Sequence, residues 1–276
     1  MSEITRRGLL TRGAFALGAL GVAATRGIAR AQAPSAAAAA GPDRKAKLVE
    51  DLVAANRILV DQGVLDGYGH VSVRHPGDPG RFLMARSVAP ELVTPGDVLE
   101  HDLDGNAPAA GGATLFLERF IHCGVYRARP DVQAVVHSHS PSLIPFGVTG
   151  VPLRPLYHMS AFLGAGAPVF DIRAAGGTTD MLVRTPALGH ALARALGPSP
   201  VALMRGHGAV AVGPDLVHAV FRSVYTEVNA RLQAQAMAFG RKVTYLSSEE
   251  ARRAEAALDA TLGRPWELWR RKAMAR

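Results

Sequence analysis

Two histidines, His137 and His139, stand one residue apart at the end of an apolar run that begins at Ala134. Side chains alternate between the two faces of a β-strand, so both imidazoles would lie on the same face. Two neutral imidazoles on a stiff element suit a divalent metal ion. A histidine pair at a strand end also occurs on surfaces and in cores, so the pair alone leaves a structural role open.

A third imidazole and a carboxylate extend the pattern. His207 stands between two glycines and between two apolar strands, and glycines allow the backbone to approach a ligand closely. Three imidazoles with open positions are a catalytic-metal arrangement, whereas a turn histidine by itself also fits solvent exposure. Glu118 precedes the histidine strand and is the candidate carboxylate, with a solvated helical glutamate as the alternative.

The elements that must position these groups alternate between helices and strands. Period-3.6 patterns predict helices over residues 43–62, 114–128, 185–196 and 215–239, the second with Leu117 in its buried stripe. Strands are predicted over residues 70–74, 81–85, 98–103, 132–137, 201–204 and 209–212, while residues 157–170 have no clear pattern. This alternation of elements therefore predicts an α/β layered domain with a mixed or largely antiparallel sheet.

The first 43 residues are predicted to lie outside this domain. Residues 1–33 have the layout of a bacterial export signal, with Arg6-Arg7 before an apolar stretch and Ala31-Gln32-Ala33 as a small-residue cleavage site. The arginine pair indicates the twin-arginine route, hence a periplasmic or exported protein. A membrane anchor is the alternative, but residues 13–24 are shorter than the roughly 20 needed to span a bilayer. Residues 34–43 are predicted as a flexible spacer and residues 44–276 as one domain, without stable membrane association after cleavage.

The charge and the cysteine content bear on two properties of the protein, nucleic-acid binding and disulfide bonding. Half of the formal net charge of +8 comes from residues 1–33, so the remaining chain is only mildly basic. Aromatic residues do not interleave with basic clusters, and we therefore expect no nucleic-acid partner. The single cysteine, Cys123, excludes an internal disulfide bond.

The motifs in combination resemble the class II aldolase/adducin-head family. The resemblance lies in Glu118, four residues before His122, followed by the run from Val125 to His139. Arg205-Gly206-His207-Gly208, Gly69-His70-Val71-Ser72 and Val93–Val98 resemble further motifs of that family, and the match covers about residues 45–240. It implies a three-layer class II aldolase-like fold, with a central, mostly antiparallel sheet flanked by helices.

The resemblance also implies a site. His137, His139 and His207 would bind one divalent metal ion per subunit (Zn, Mn, Fe or Co), and Glu118 would be the acid/base residue or a displaceable fourth ligand. Family enzymes are often tetramers with sites near subunit boundaries. A homo-oligomer is therefore expected, with a tetramer as one form that the resemblance allows.

Departures from the family's sugar-phosphate aldolases bear on the substrate. Those enzymes carry an asparagine in the early loop, a small-residue phosphate loop, and two serines before the glutamate. Here His70 replaces the asparagine, Arg86 and Ser87 stand in the phosphate-loop region, and Phe116-Leu117 precedes Glu118. An arginine suits a carboxylate held by two hydrogen bonds, and the apolar pair predicts a raised pKa for Glu118.

These departures resemble the branch that decarboxylates hydroxylated aromatic or pyridine dicarboxylates. The sequence thus predicts a divalent-metal-dependent carbon–carbon lyase that decarboxylates a hydroxylated aromatic or related small carboxylic acid through a metal-stabilised enolate. The predicted substrate-binding residues are His70, Ser72, Arg86, Ser87, Tyr157 and His158. Alternatives are an aldolase acting on a non-phosphorylated hydroxy-carbonyl compound, an iron-dependent oxidative enzyme, and a non-catalytic binding or scaffold protein. His122 is open to two roles, a support for the site or a packed core residue.

Overall fold

Seven short strands form one sheet within residues 42–275, the part of the chain that this computed structural model describes. The strands are β1 (His70–Arg74), β2 (Arg81–Ala85), β3 (Val98–Asp102), β4 (Ala134–Ser138), β5 (Val169–Phe170), β6 (Val201–Met204) and β7 (Gly208–Gly213). Their order is β3-β2-β1-β4-β7-β6-β5, and every neighbouring pair except β5–β6 is antiparallel. The predicted mostly antiparallel sheet is therefore confirmed.

Helices cover both faces of this sheet. They are α1 (Pro42–Asp61), α2 (Arg119–Ala128), α3 (Ile144–Thr149), α4 (Arg173–Gly176), α5 (Pro186–Leu196), α6 (Leu216–Ala238), α7 (Ser248–Asp259) and α8 (Gly263–Met274). Val136 faces a core shared with α1, α6 and α8, whereas its neighbour Val135 faces a core shared with α2 and α5. Two-residue alternation along the strands thus produces the predicted three layers.

The predicted signal peptide, residues 1–33, and the spacer as far as residue 41 lie outside the described residues. Export and periplasmic location therefore stay predictions from the sequence. Among residues 42–275, no helix combines the length and apolar character that a membrane span requires.

The helix predicted over residues 114–128 begins later, at Arg119. The Thr114 carbonyl accepts a hydrogen bond from the Ser87 amide at 2.8 Å, which holds this segment against the strand region instead of in a helix. Leu117, expected in the buried stripe, is 56 % exposed. Glu118 consequently precedes the first turn of α2, with φ −89° and ψ 17°, and is not inside the helix.

Helices α2 and α5 cross where each helix has a glycine, Gly124 in α2 and Gly189 in α5. A Cβ atom at Gly124 would lie 2.3 Å from the Gly189 carbonyl oxygen, and one at Gly189 would lie 2.1 Å from the Phe120 carbonyl oxygen. Only glycine permits such a backbone approach. The contact fixes α2, whose N-terminal end presents Glu118.

A methyl group at this crossing should cost stability. We expect Gly189→Ala to lower the free energy of unfolding by about 1–3 kcal/mol, because overpacking outweighs the better helix propensity of alanine. Gly263→Ala is the matched control, since a Cβ there meets nothing within 4 Å. Urea unfolding of both variants measures the difference, and equal stability would show that the crossing tolerates a side chain.

Candidate metal centre

The candidate centre lies where three elements meet at one end of the sheet. His137 belongs to β4, His139 follows it, and His207 lies in the turn between β6 and β7. Since β4 pairs with β7, with Ser138 opposite Ala209, that turn lies beside the end of β4. Gly208 permits the approach, because a Cβ atom there would lie 2.0 Å from the Ser138 carbonyl oxygen.

Four potential ligand atoms converge at this point. The Nε2 atom of His139 lies 3.2 Å from Nε2 of His137 and 3.1 Å from Nε2 of His207. Glu118 Oε2 lies 3.5 Å from Nε2 of His137 and 3.3 Å from Nε2 of His207. Ligands about 2.0–2.1 Å from a tetrahedral metal ion are themselves roughly 3.3 Å apart. Four of the six separations match this spacing and all six lie within 4.8 Å, so the four groups could hold a single metal ion.

Backbone groups orient these side chains. The Nδ1 atom of His137 donates to the Ala209 carbonyl at 3.1 Å, and that of His207 donates to the Met181 carbonyl at 3.0 Å. Each ring thus carries its proton on Nδ1 and leaves the Nε2 lone pair for a metal ion. Glu118 Oε1 accepts from the Val183 amide at 2.9 Å, which leaves Oε2 for the same purpose.

Met181 holds a strained backbone conformation. Its φ of 72° is the only positive value at a non-glycine residue within residues 42–275. Left-handed backbone at a side chain of this size costs about 1–2 kcal/mol and persists where the surroundings impose it. The conformation belongs to the residue whose carbonyl orients His207, so the strain is stored at the candidate centre.

The charge states suit metal binding. In the metal-free centre, burial acts to raise the pKa of Glu118, but the imidazoles of His137 and His207 that face its carboxylate outweigh burial, so that this pKa lies well below its ordinary value. The prediction of a raised pKa was wrong, because the two facing imidazoles outweigh the effect of burial on this carboxylate. Burial, together with the nearby imidazoles of His137 and His207, lowers the pKa of His139 to about 4. Glu118 is therefore ionised and His139 neutral near pH 7, as metal ligands must be.

A cavity of about 500 Å³ opens beside the cluster and includes Glu118, His137 and His139 in its lining. The rest of its wall is mostly apolar: Tyr68, Val88, Ala89, Phe116, Leu117 and Leu182. Such a combination of apolar walls with a few converging polar groups is typical of small-molecule sites.

Only two of the six predicted substrate-binding residues line the cavity. His70 and Ser87 line the cavity, whereas Ser72 is buried behind it. The cavity wall does not include Arg86, whose Nε donates to Asp97 Oδ1 at 2.6 Å. The two remaining residues, Tyr157 and His158, lie at the start of a 3-10 turn, and His158 lines a different cavity beside α6 and α7. The roles of all six stay predictions.

Several groups at the site were missed in the sequence. Met181 and Val183 act through their backbone, and no side-chain pattern marks such a role. Tyr68 and Leu182 line the cavity. Tyr68 had a usable signal, since an aromatic residue between Gly67 and Gly69 beside the early motif is unusual in a simple turn.

Comparison with known proteins agrees with this geometry. The family model for the Class II Aldolase and Adducin N-terminal domain matches residues 50–234. Decarboxylase tropJ of Talaromyces stipitatus is 36% identical over 249 residues, which cover 81% of this chain and 93% of the relative. The 3,4-dihydroxyphthalate decarboxylase of Arthrobacter keyseri is 32% identical over 206 residues, 69% of this chain and 79% of that enzyme.

A solved structure supports the fold. The L-fuculose 1-phosphate aldolase from Glaciozyma antarctica superposes with a TM-score of 0.70 at 24% identity, covering 83% of this chain and 89% of that one. The sheet order, the two helical layers and the family match therefore agree. The chain belongs to the class II aldolase and adducin N-terminal domain family.

Proposed function

We propose that this protein is a metal-dependent lyase that removes a carboxyl group as CO₂ from a hydroxylated aromatic or related carboxylic acid. The observation that carries the proposal is the Glu118, His137, His139 and His207 cluster in the wall of a mostly apolar cavity. The decarboxylase names of two relatives support this choice of reaction.

The four clustered residues would hold the divalent metal ion. A bound metal ion supplies a Lewis acid that stabilises negative charge developing on a substrate oxygen. Three imidazoles and a carboxylate suit zinc, manganese, iron or cobalt, and the ligand types do not choose among them.

The chain's own residues account for the remaining requirements. Phe116, Leu117 and Leu182 offer an apolar surface for an aromatic ring and exclude water from it. Glu118 lines the cavity, and as a displaceable ligand its carboxylate would be free, once substrate is bound, to take a proton from the substrate hydroxyl and return it to the carbon that has lost CO₂.

The backbone of the phosphate-loop region supports a substrate without a phosphate group. The Arg86 amide donates to the Asp97 carbonyl and the Ser87 amide to the Thr114 carbonyl, both at 2.8 Å. Neither amide can then donate to a bound phosphate, although phosphate cradles are built from such backbone N–H groups.

Product analysis tests the reaction. Metal-loaded protein is incubated separately with hydroxylated aromatic acids and with non-phosphorylated hydroxy-ketones, and its metal content is measured by elemental analysis. We expect CO₂ from the acids and no aldehyde from the ketones. Aldehyde without CO₂ would replace the proposal with an aldolase, the activity named for the solved structure above.

Arg86 lies outside the cavity wall but directly precedes Ser87, which lines it, and we propose that the Arg86 guanidinium binds a second carboxylate of the substrate. Its Nε is used by Asp97, but the side chain is 44% exposed and a guanidinium has four further N–H donors on its two Nη atoms. We expect Arg86→Ala to raise KM for a dicarboxylate about ten-fold more than for the matching monocarboxylate, a difference of about 1.4 kcal/mol. Arg86→Lys keeps the positive charge but loses the planar guanidinium. Its rise in KM for the dicarboxylate should therefore lie between that of the wild type and that of Arg86→Ala. An equal rise for both substrates would remove Arg86 from the anion site.

A further inference from the structure

A chain of buried polar side chains runs from the cavity wall into the core. His70 Nδ1 lies 2.6 Å from His122 Nε2, and His122 Nδ1 lies 2.6 Å from Ser72 Oγ. Ser72 Oγ lies 2.8 Å from the Tyr126 hydroxyl. None of the four side chains is more than 4% exposed. All the polar atoms in this series are therefore paired with one another and not with bulk water.

The secondary structure explains the alignment. His70 and Ser72 share one face of β1, and His122 and Tyr126 are one turn apart on α2, which packs over that face. His70 is opposite His137 in the β1–β4 register, with 5.0 Å between the two ring centroids. This series of hydrogen-bonded side chains therefore ends beside the candidate metal ligands.

The hydrogen bonds in this series of four side chains have a preferred direction. Within residues 42–275, Ser72 Oγ is the only side-chain hydrogen-bond partner of the buried Tyr126 hydroxyl, and a buried O–H without an acceptor is costly, so the Tyr126 proton is directed to Ser72 Oγ. Ser72 then donates to Nδ1 of His122, and Nε2–H of His122 donates to Nδ1 of His70. A neutral His70 accepting at Nδ1 must carry its own proton on Nε2.

Both imidazoles are held in the neutral form. The 2.6 Å contact between Nδ1 of His70 and Nε2 of His122 requires one of the two nitrogens to lack a proton, and within residues 42–275 neither buried ring has a carboxylate hydrogen-bond partner to stabilise a positive charge. Each ring therefore carries one N–H group. The donor-to-acceptor order that begins at the Tyr126 hydroxyl is then the same at every hydrogen bond as far as His70.

We propose that Ser72, His122 and Tyr126 are positioning residues that fix His70 as the Nε2–H tautomer, which donates a hydrogen bond to a substrate oxygen in the cavity. The substrate part rests on the proposed function, whereas the tautomer does not. A donor at this position favours a substrate that presents a phenolate or carboxylate oxygen. The proton on Nε2 also keeps His70 out of the metal-ligand set, despite its proximity to His137.

The tautomer can be measured without any substrate. The zinc-loaded full-length protein is labelled with ¹⁵N-histidine, and two-bond ¹H–¹⁵N spectra report which ring nitrogen is protonated, with His70→Gln assigning the His70 signals. We expect the His70 proton on Nε2 in the wild type and a mixture of both tautomers in Ser72→Ala. A wild-type proton on Nδ1, or a doubly protonated ring, overturns the proposal, and this spectrum decides the matter even should Ser72→Ala fail to fold.

Kinetics with a hydroxylated aromatic acid test whether the fixed His70 tautomer contributes to kcat/KM. Ser72→Ala should reduce kcat/KM about ten-fold with metal content unchanged, since one oriented hydrogen bond is weakened. His70→Gln, which keeps an N–H donor, should retain more activity than His70→Ala. Ser223→Ala is the matched control, because Ser223 is equally buried but bonds only within α6. Wild-type kcat/KM in Ser72→Ala would contradict a positioning role.

The two proposals fail separately. A protein that releases no CO₂ from any acid but keeps His70 as the Nε2–H tautomer refutes the proposed function alone. A protein that decarboxylates with His70 protonated on Nδ1 refutes the inference alone.

Discussion

Replacing His137 with alanine should abolish metal binding at the candidate centre and reduce turnover by on the order of 10³-fold. The imidazole supplies one of four converging ligand atoms, and its Nδ1 bond to Ala209 presents Nε2 in a fixed orientation. No water molecule could replace it without losing that orientation, and transition-state charge stabilisation of this kind is worth several kcal/mol. Elemental analysis and kcat measure the two effects.

A matched histidine distinguishes ligand loss from a general effect of the substitution. His190→Ala removes an exposed imidazole on α5, outside the cluster, and should leave metal content and turnover unchanged. His139→Ala and His207→Ala should behave like His137→Ala, because all three rings converge on one point. Full turnover in metal-free His137→Ala would show that the cluster is not catalytic.

Glu118→Gln should reduce turnover by about 10²- to 10⁴-fold with little change in stability. The amide oxygen of glutamine can still accept from the Val183 amide, but the variant carries neither the negative charge nor the exchangeable carboxyl proton. Initial rates and urea unfolding of the same preparation measure both quantities. Wild-type turnover in this variant would exclude Glu118 from the acid/base role.

The alanine variant separates the structural contribution of Glu118. Glu118→Ala leaves the Val183 amide without its acceptor, and a buried unpaired donor costs about 1–3 kcal/mol. We therefore expect Glu118→Ala to unfold at lower urea concentration than Glu118→Gln, with comparable loss of turnover. Equal stability of the two variants would mean that water or another group satisfies Val183.

Much of the fold follows from local patterns. Val135 and Val136 face opposite cores because strand side chains alternate, and this periodicity is visible in the sequence. The helix at α5 begins where Thr185 caps it and Pro186 opens it, both of which are local signals. The start of α2 was missed because the Ser87–Thr114 hydrogen bond, between residues distant in the sequence, competes with helix formation.

Residue types and local periodicity were enough to identify the candidate ligands, the mostly antiparallel sheet and the layered fold, and spacing within one strand aligns His137 with His139. The approach of His207 depends on the pairing of β4 with β7. The ionisation of Glu118, the pairing of Arg86 with Asp97 and the link from His70 to Tyr126 likewise depend on tertiary contacts. Charge state, ion pairing and tautomer depend on groups brought together from distant segments. Such properties are set by contact and burial, which no local spacing encodes.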